Sequence, residues 1–217
     1  YDSHAAIIPH RAAGYTPGKD GPVNADYLDM NIPQGAGALY STTHDLLKWQ
    51  VGLYGGKLLK PASLVLLTTP VKENYAFGLG VVRNAEGTLF SHGGGIEGFN
   101  TSLGYDPERK ITVVVLGNIN GGAPGRLGAS LMTLARGGTV TLPGERVAMT
   151  LTPAQLAPYA GTYDVSPEFG FVVRVEGTKL IVQATGQGPL ELHAEKPDQF
   201  FLKEVDAQLV FQRNAAG

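Results

Sequence analysis

The residues best suited by type to do chemistry stand together at His92-Gly93-Gly94-Gly95. A histidine can donate, accept or carry a proton near neutral pH. Three glycines after it, at the expected end of a strand, let a backbone or a ligand come close where a Cβ would block it. Backbone N–H groups left open there can hold an oxyanion. The same run also reads as a glycine-rich turn with an exposed histidine, since short motifs recur by chance. Taken alone, the run favours that plainer reading. The other candidates are weaker. His4, His10, His44 and His193 show no metal-ligand spacing, and Asp26 and Asp29 are loop carboxylates where a metal would need more ligands. Gly117-Asn118-Ile119-Asn120-Gly121-Gly122 lacks the Lys-Ser/Thr of a phosphate-binding loop. Phe77-Gly78-Leu79-Gly80 reads as close backbone packing rather than ligand contact.

Composition narrows the field further. The 217 residues are 43% hydrophobic and 17% charged, enough to build a core and too apolar for global disorder. Seventeen basic against 19 acidic residues give a net charge of -2, without the basic excess of a nucleic-acid binder. The absence of cysteine excludes disulfides, cysteine zinc sites, iron–sulfur clusters and thiol catalysis. No apolar run reaches the roughly 18 residues of a membrane-spanning helix. The chain starts at Tyr1 rather than Met, from which a processed product or a fragment is expected.

These residues need elements to hold them. Residues 1–40, dense in proline and glycine, read as a long irregular loop, which in a compact domain is functional or wraps a partner. Thr42 can cap a helix with Asp45 three residues on, followed by Leu46, Leu47, Trp49, Leu53 and Tyr54 at helical spacing and stopped by Gly55-Gly56. Pro61 to Thr69 predicts a second helix. Strands are expected at 75–82, 88–91, 100–105 and 111–117, with residues 106–110 as a hairpin turn. The nearly continuous apolar run from Ile111 to Leu116 predicts a central strand covered on both faces. Leu127, Leu131 and Leu134 predict a helix over 124–136. After a linker at 138–151, six short strands between 159 and 212 predict an antiparallel meander or small barrel.

In their order, Arg11-Ala12-Ala13-Gly14-Tyr15, Gly35 to Thr42, Asp45-Leu46-Leu47-Lys48-Trp49, Tyr75-Ala76-Phe77-Gly78-Leu79-Gly80, Ser91-His92-Gly93-Gly94 and the strand from Ile111 to Asn118 resemble the C-terminal half of the penicillin-binding-protein-like serine hydrolases. That group includes class C β-lactamases, DD-peptidases and related esterases and D-amino-acid peptidases. The segment Leu156 to Tyr163 resembles the small lipocalin-like β domain often appended to them. The resemblance implies an α+β fold. A partial β-lactamase/transpeptidase-like domain of antiparallel sheet and helices occupies 1–137, and a small antiparallel β-barrel-like domain occupies 152–217. It also implies that His92 supplies electrostatics and hydrogen bonds near a serine nucleophile and a substrate carboxylate. Gly93 and Gly94 would continue the motif, and the N–H of Gly95 would be one of two oxyanion-hole donors.

The family's nucleophile motif, Ser-x-x-Lys, is absent, because no lysine here has serine three positions before it. Nor does any tyrosine or serine have asparagine two positions on, so Tyr-x-Asn is absent as well. The expected function is therefore the C-terminal portion of a serine hydrolase acting on a β-lactam, a D-amino-acid peptide or a small ester through an acyl-enzyme, inactive alone. The rival expectation is a catalytically dead module in which Phe169, Phe171, Phe200, Phe201 and Phe211 hold an apolar ligand or partner, against which stands plain core filling. No metal or other cofactor is implied. The expected partner is the N-terminal half of the hydrolase, on the same or a separate chain, or a swapped second copy. Family resemblance alone places the protein in the periplasm or outside the cell.

Overall fold

A computed structural model of the chain describes residues 7–212. His4 lies outside them. The chain divides into two units, Tyr1–Val140 and Thr141–Gly217, each taken by itself below.

The first unit opens with a hairpin, β1 (Tyr15–Gly18) and β2 (Gly21–Asn24), and a single helical turn, α1 (Gln34–Gly37). The expected irregular loop thus contains local structure. It is anchored as well: Tyr15 N–H donates to the Asn118 carbonyl at 3.0 Å and Asn120 N–H donates to the Tyr15 carbonyl at 2.9 Å. Helix α2 (Thr43–Tyr54) begins as its sequence requires, with the Thr42 hydroxyl oxygen accepting from the Asp45 N–H at 3.1 Å. Helix α3 (Pro61–Thr68) carries Pro61 in its first turn, where the missing N–H costs nothing.

Strands β3 (Gly80–Asn84), β4 (Gly87–Ile96), β5 (Phe99–Asp106) and β6 (Ile111–Gly117) form one antiparallel sheet in chain order. Alternation gives the sheet two faces. Phe90, His92, Leu103, Tyr105, Thr112 and Val114 share one; Leu89, Ser91, Ser102, Gly104, Val113 and Val115 share the other. Tyr54 at the end of α2 packs on the first face, its ring stacked 3.9 Å from Tyr105 and 5.7 Å from Phe90. Helix α4 (Ala123–Ala135) covers the second, with Pro124, Gly128 and Met132 buried. A Cβ on Gly128 would stand 2.5 Å from Ser102 Oγ, so that glycine lets α4 sit close on the sheet.

Two expectations change here. Among the described residues β6 pairs with β5 alone, so it is an edge strand rather than a central one. Its apolar run reflects helices on both faces, and face burial does not report how many strands lie alongside. The leucines that predicted α4 are the other: Leu127, Leu131 and Leu134 are 53%, 44% and 51% exposed, while the opposite, smaller-residue side meets the sheet.

In the second unit a short capped helix, α5 (Pro153–Leu156), leads through a 3-10 turn at Ala157–Tyr159 into six strands. These are β7 (Gly161–Ser166), β8 (Phe169–Glu176), β9 (Lys179–Ala184), β10 (Pro189–Lys196), β11 (Gln199–Phe201) and β12 (Gln208–Val210). They form an antiparallel meander with β7 and β12 as the outer strands, which among the described residues do not pair with each other. Val173, Leu180, Val182, Leu192, Ala194 and Phe200 make its core, closed from one side by Leu156 and Tyr159. Phe200 is fully buried, with ring contacts to Tyr159 at 4.7 Å and Phe211 at 5.5 Å. These aromatics fill the core; Phe169 stays half-exposed beside Phe171. The segment expected as a linker splits at the unit boundary. Beyond it, Met149 bridges to Ala194, Leu151 packs on the core, and Arg146 pairs with Asp206 at 3.3 Å.

Candidate functional site

Strand β4 runs straight through His92-Gly93-Gly94-Gly95, so these glycines are strand residues and not a turn. Its two sides differ along its length. Strand β3 pairs with β4 from Gly87 only as far as Ser91. Strand β5 pairs with it to the end, matching His92 with Leu103, Gly93 with Ser102, Gly94 with Thr101 and Gly95 with Asn100. From His92 to Ile96 the strand therefore has one hydrogen-bonded neighbour among the described residues, and main-chain groups of alternate residues face away from it. All four expected site residues lie on this half-open stretch, and all four are exposed.

The glycines answer a local demand. A Cβ on Gly94 would come 2.8 Å from Thr101 Oγ1, and one on Gly95 would come 2.9 Å from Asn100 Nδ2. The close approach expected of them is thus made, in part, by the protein's own β5. Asn100 is held in turn, its Oδ1 accepting from Gly121 N–H at 2.9 Å, and Asn120 Oδ1 accepts from Gly98 N–H at 2.8 Å. Gly14 packs against Gly98 and Phe99, and Asn118 Nδ2 donates to the Ala13 carbonyl at 3.0 Å. The Arg11–Tyr15 segment and the far end of the His92–Ile96 stretch, widely separated in sequence, so meet at one end of the sheet.

His92 is fixed at both ring nitrogens. Nδ1 lies against the Gly93 carbonyl oxygen, and Nε2 stands 2.9 Å from the Tyr75 hydroxyl. A carbonyl oxygen only accepts, so in the neutral ring Nδ1 carries the proton and Nε2 accepts from Tyr75. The two rings meet edge to face with centroids 6.0 Å apart. Tyr75 was part of a recognisable segment in the sequence but carried no role there. Its signal was hairpin arithmetic: Gly80 pairs with Ser91, and an isolated bridge joins Tyr75 to Gly80, which returns Tyr75 to the neighbourhood of His92.

The remaining histidines stand apart from this site. His10 lies in a turn with φ of 61°, His44 in the first turn of α2, and His193 on β10 of the other unit. Among the described residues no three histidine, aspartate or glutamate side chains are grouped to hold a metal ion, and no helix is long and apolar enough to cross a membrane.

Of the comparisons with known proteins, the family match keeps to the first unit, while the similar chains extend into the second. A family model described as Beta-lactamase matches residues 1–137. Penicillin-binding protein 4* of Bacillus subtilis (strain 168) is 25% identical over 191 residues, covering 82% of this chain but 42% of its own length. The chain thus spans less than half of that curated relative. In fold it is similar to the octameric penicillin-binding protein homologue from Pyrococcus abyssi, with a TM-score of 0.51, 22% identity, and 88% of this chain against 46% of that one. A solved structure of SurE gives a TM-score of 0.51 at 17% identity, over 97% of this chain and 54% of that one.

Proposed function

The chain belongs to the beta-lactamase family, and from that premise we propose that it is the C-terminal portion of a serine hydrolase whose His92 and Gly93–Gly95 line one wall of the active site. The observation that carries this reading is the change in β4 at Ser91, beyond which the histidine and glycines stand on a strand with a single neighbour. An open strand edge of this kind can receive an extended substrate by adding main-chain hydrogen bonds. The Gly95 N–H, free of a Cβ and of β3, suits one of the two donors that stabilise the oxyanion of an acyl-transfer intermediate.

The substrate class we propose is a β-lactam, a D-amino-acid peptide or a small ester, hydrolysed through an ester on a serine that this chain does not contain. Ser-x-x-Lys and Tyr-x-Asn would come from the N-terminal half of the domain. Two features support that partner: the exposed stripe Leu127, Leu131 and Leu134 on α4, and the unpaired edge of β6. Both are surfaces a neighbouring element would cover. A swapped second copy is the alternative cover. We read the second unit as an appended lipocalin-like accessory domain, which its up-and-down strand order supports, and the protein as periplasmic or extracellular by family.

The test compares this chain alone with the same chain joined to, or co-expressed with, an N-terminal segment bearing Ser-x-x-Lys. The isolated chain should hydrolyse nitrocefin and p-nitrophenyl acetate no faster than buffer. The completed domain should turn over one of these or a D-amino-acid p-nitroanilide, and His92→Ala should lower its kcat/KM by on the order of 100-fold. Turnover by the isolated chain, or full activity of the completed His92→Ala domain, would overturn the reading.

A further inference from the structure

We propose that Tyr75 is a positioning residue for His92, fixing the ring orientation so that the neutral tautomer carries its proton on Nδ1 and presents Nε2 to the Tyr75 hydroxyl. The placement follows from the sheet upward. Phe90 and His92 are two residues apart on β4 and so share a face. Phe90 packs against a small buried cluster of Ala76, Leu79 and Val81. Because Ala76 is sunk in that cluster, its neighbour Tyr75 is carried to the next place in the row, where His92 stands.

The backbone around Tyr75 is tied down as firmly. Its N–H donates to the Lys72 carbonyl at 2.9 Å, and its carbonyl accepts from Val71 N–H at 2.9 Å. Ala76 N–H donates to the Leu79 carbonyl at 2.9 Å across a turn in which Gly78 has φ of 78°. The hydroxyl that reaches His92 Nε2 is therefore held by a short, locked loop whose next residue is buried.

The chemical consequence differs from the role the family resemblance implied for His92. With Nδ1–H given to the Gly93 carbonyl and Nε2 taken by Tyr75, the neutral ring has no N–H left for a substrate carboxylate. The polar atom that the pair can still offer is the Tyr75 oxygen, whose lone pairs are not used when its O–H is donated to Nε2 and which can therefore accept from a substrate N–H or O–H. The Gly93 carbonyl is occupied too.

The claim that the clamp serves catalysis rests on the hydrolase reading above; the clamp itself does not, and two measurements keep them apart. In the first, nitrogen-15 spectra of the imidazole groups are recorded on this chain at neutral pH, with His92→Gln used to assign the His92 signals. The expected result is a ring protonated at Nδ1. Tyr75→Phe should move the Nε2 resonance toward that of a nitrogen lacking this donor, while circular dichroism shows the fold unchanged. A ring protonated at Nε2, or a Tyr75→Phe spectrum identical to the wild type, would overturn the clamp. In the second, Tyr75→Phe in the completed domain should reduce kcat/KM on the order of 10- to 100-fold. It should add little to His92→Ala, as expected of two residues acting as one unit. Full additivity would show that Tyr75 does not act through His92. An intact clamp in a completed domain that turns over nothing would sink the hydrolase reading and leave the clamp standing.

Discussion

Arg136 places its Nε 2.6 Å from the Oδ2 of Asp106, a side chain with no exposed surface at the end of β5. The same carboxylate accepts from Arg109 Nη1 at 3.0 Å and, through Oδ1, from the Arg109 backbone N–H at 2.9 Å. Arg136 also donates to the Thr88 carbonyl at 2.8 Å. One carboxylate thus ties α4's C-terminal end, the β5–β6 turn and the start of β4 together, and sets the frame from which His92 projects. Removing its charge leaves the buried Arg136 guanidinium with Glu86, 3.5 Å away and exposed, as its acidic partner.

Asp106→Asn is therefore expected to destabilise the first unit by about 3 kcal/mol, because breaking a buried pair strands the remaining charge. Urea denaturation followed by Trp49 fluorescence measures it. A loss below about 0.5 kcal/mol, the size of an ordinary surface change, would show that the network is not holding these elements.

The same residue sets an acid limit. Burial alone would raise the Asp106 carboxyl; the Arg109 backbone N–H and the two guanidinium groups outweigh it and hold the pKa at about 2. A folded value below the unfolded one gives stability that is complete above the unfolded pKa of about 4 and lost as pH falls towards about 2. Wild type should lose stability across that window, and Asp106→Asn should lose less of it.

At the alkaline end Tyr54 behaves in the opposite sense. Burial, with a contribution from Tyr105, pushes its hydroxyl up to about 12. Its contribution is present below the unfolded value of about 10 and disappears as pH rises through about 12. Burial and the neighbouring Asp106 raise the Tyr105 hydroxyl as well, so ultraviolet titration of tyrosine ionisation should show two groups lagging the rest, and Tyr54→Phe should remove one of the late steps.

Gly94→Ala should cost about 1 to 3 kcal/mol, since the new methyl meets Thr101 Oγ1. Thr101→Ala in the same chain should recover most of that loss, giving a coupling well above the additive expectation in a double-mutant cycle. Simple additivity would show that backbone conformation, and not the cross-strand contact, demands glycine there.

On α4, Leu131→Lys is expected to change the stability of the isolated chain by no more than about 0.5 kcal/mol, as for a surface site. Met132→Ala, one residue along and buried, should cost about 2 to 5 kcal/mol. If the leucine stripe is where an N-terminal half docks, Leu131→Lys should nonetheless weaken co-purification of the two halves.

Much of this was legible in the residues themselves. Thr42 and Asp45 announce the start of α2, Pro61 that of α3, and the glycine and aspartate turns bracket the strands of the second unit within a few residues. His92 and its glycines were legible as chemistry. Their place inside a strand was not, because the reason for Gly94 and Gly95 lies across the ladder in Thr101 and Asn100. The stripe of Leu127, Leu131 and Leu134 correctly signalled a helix yet pointed away from its packed side. Periodicity reports an apolar face, while Gly128 and Met132 mark the face that has a neighbour. Tyr75 carries no such signal, because its partner stands 17 residues on and is reached only after β3 and β4 fold back on one another.

The end of β3 pairing at Ser91 divides β4 into two kinetic regimes. Up to Ser91 the amide protons have an acceptor strand on either side and should exchange with solvent slowly. Beyond it, every second amide turns away from β5 and should exchange as fast as a loop, giving a fast–slow alternation along His92 to Ile96. Anything laid along that edge by main-chain pairing would convert the fast members to slow ones. The strand thereby carries its own occupancy gauge, readable by isotope exchange without any turnover.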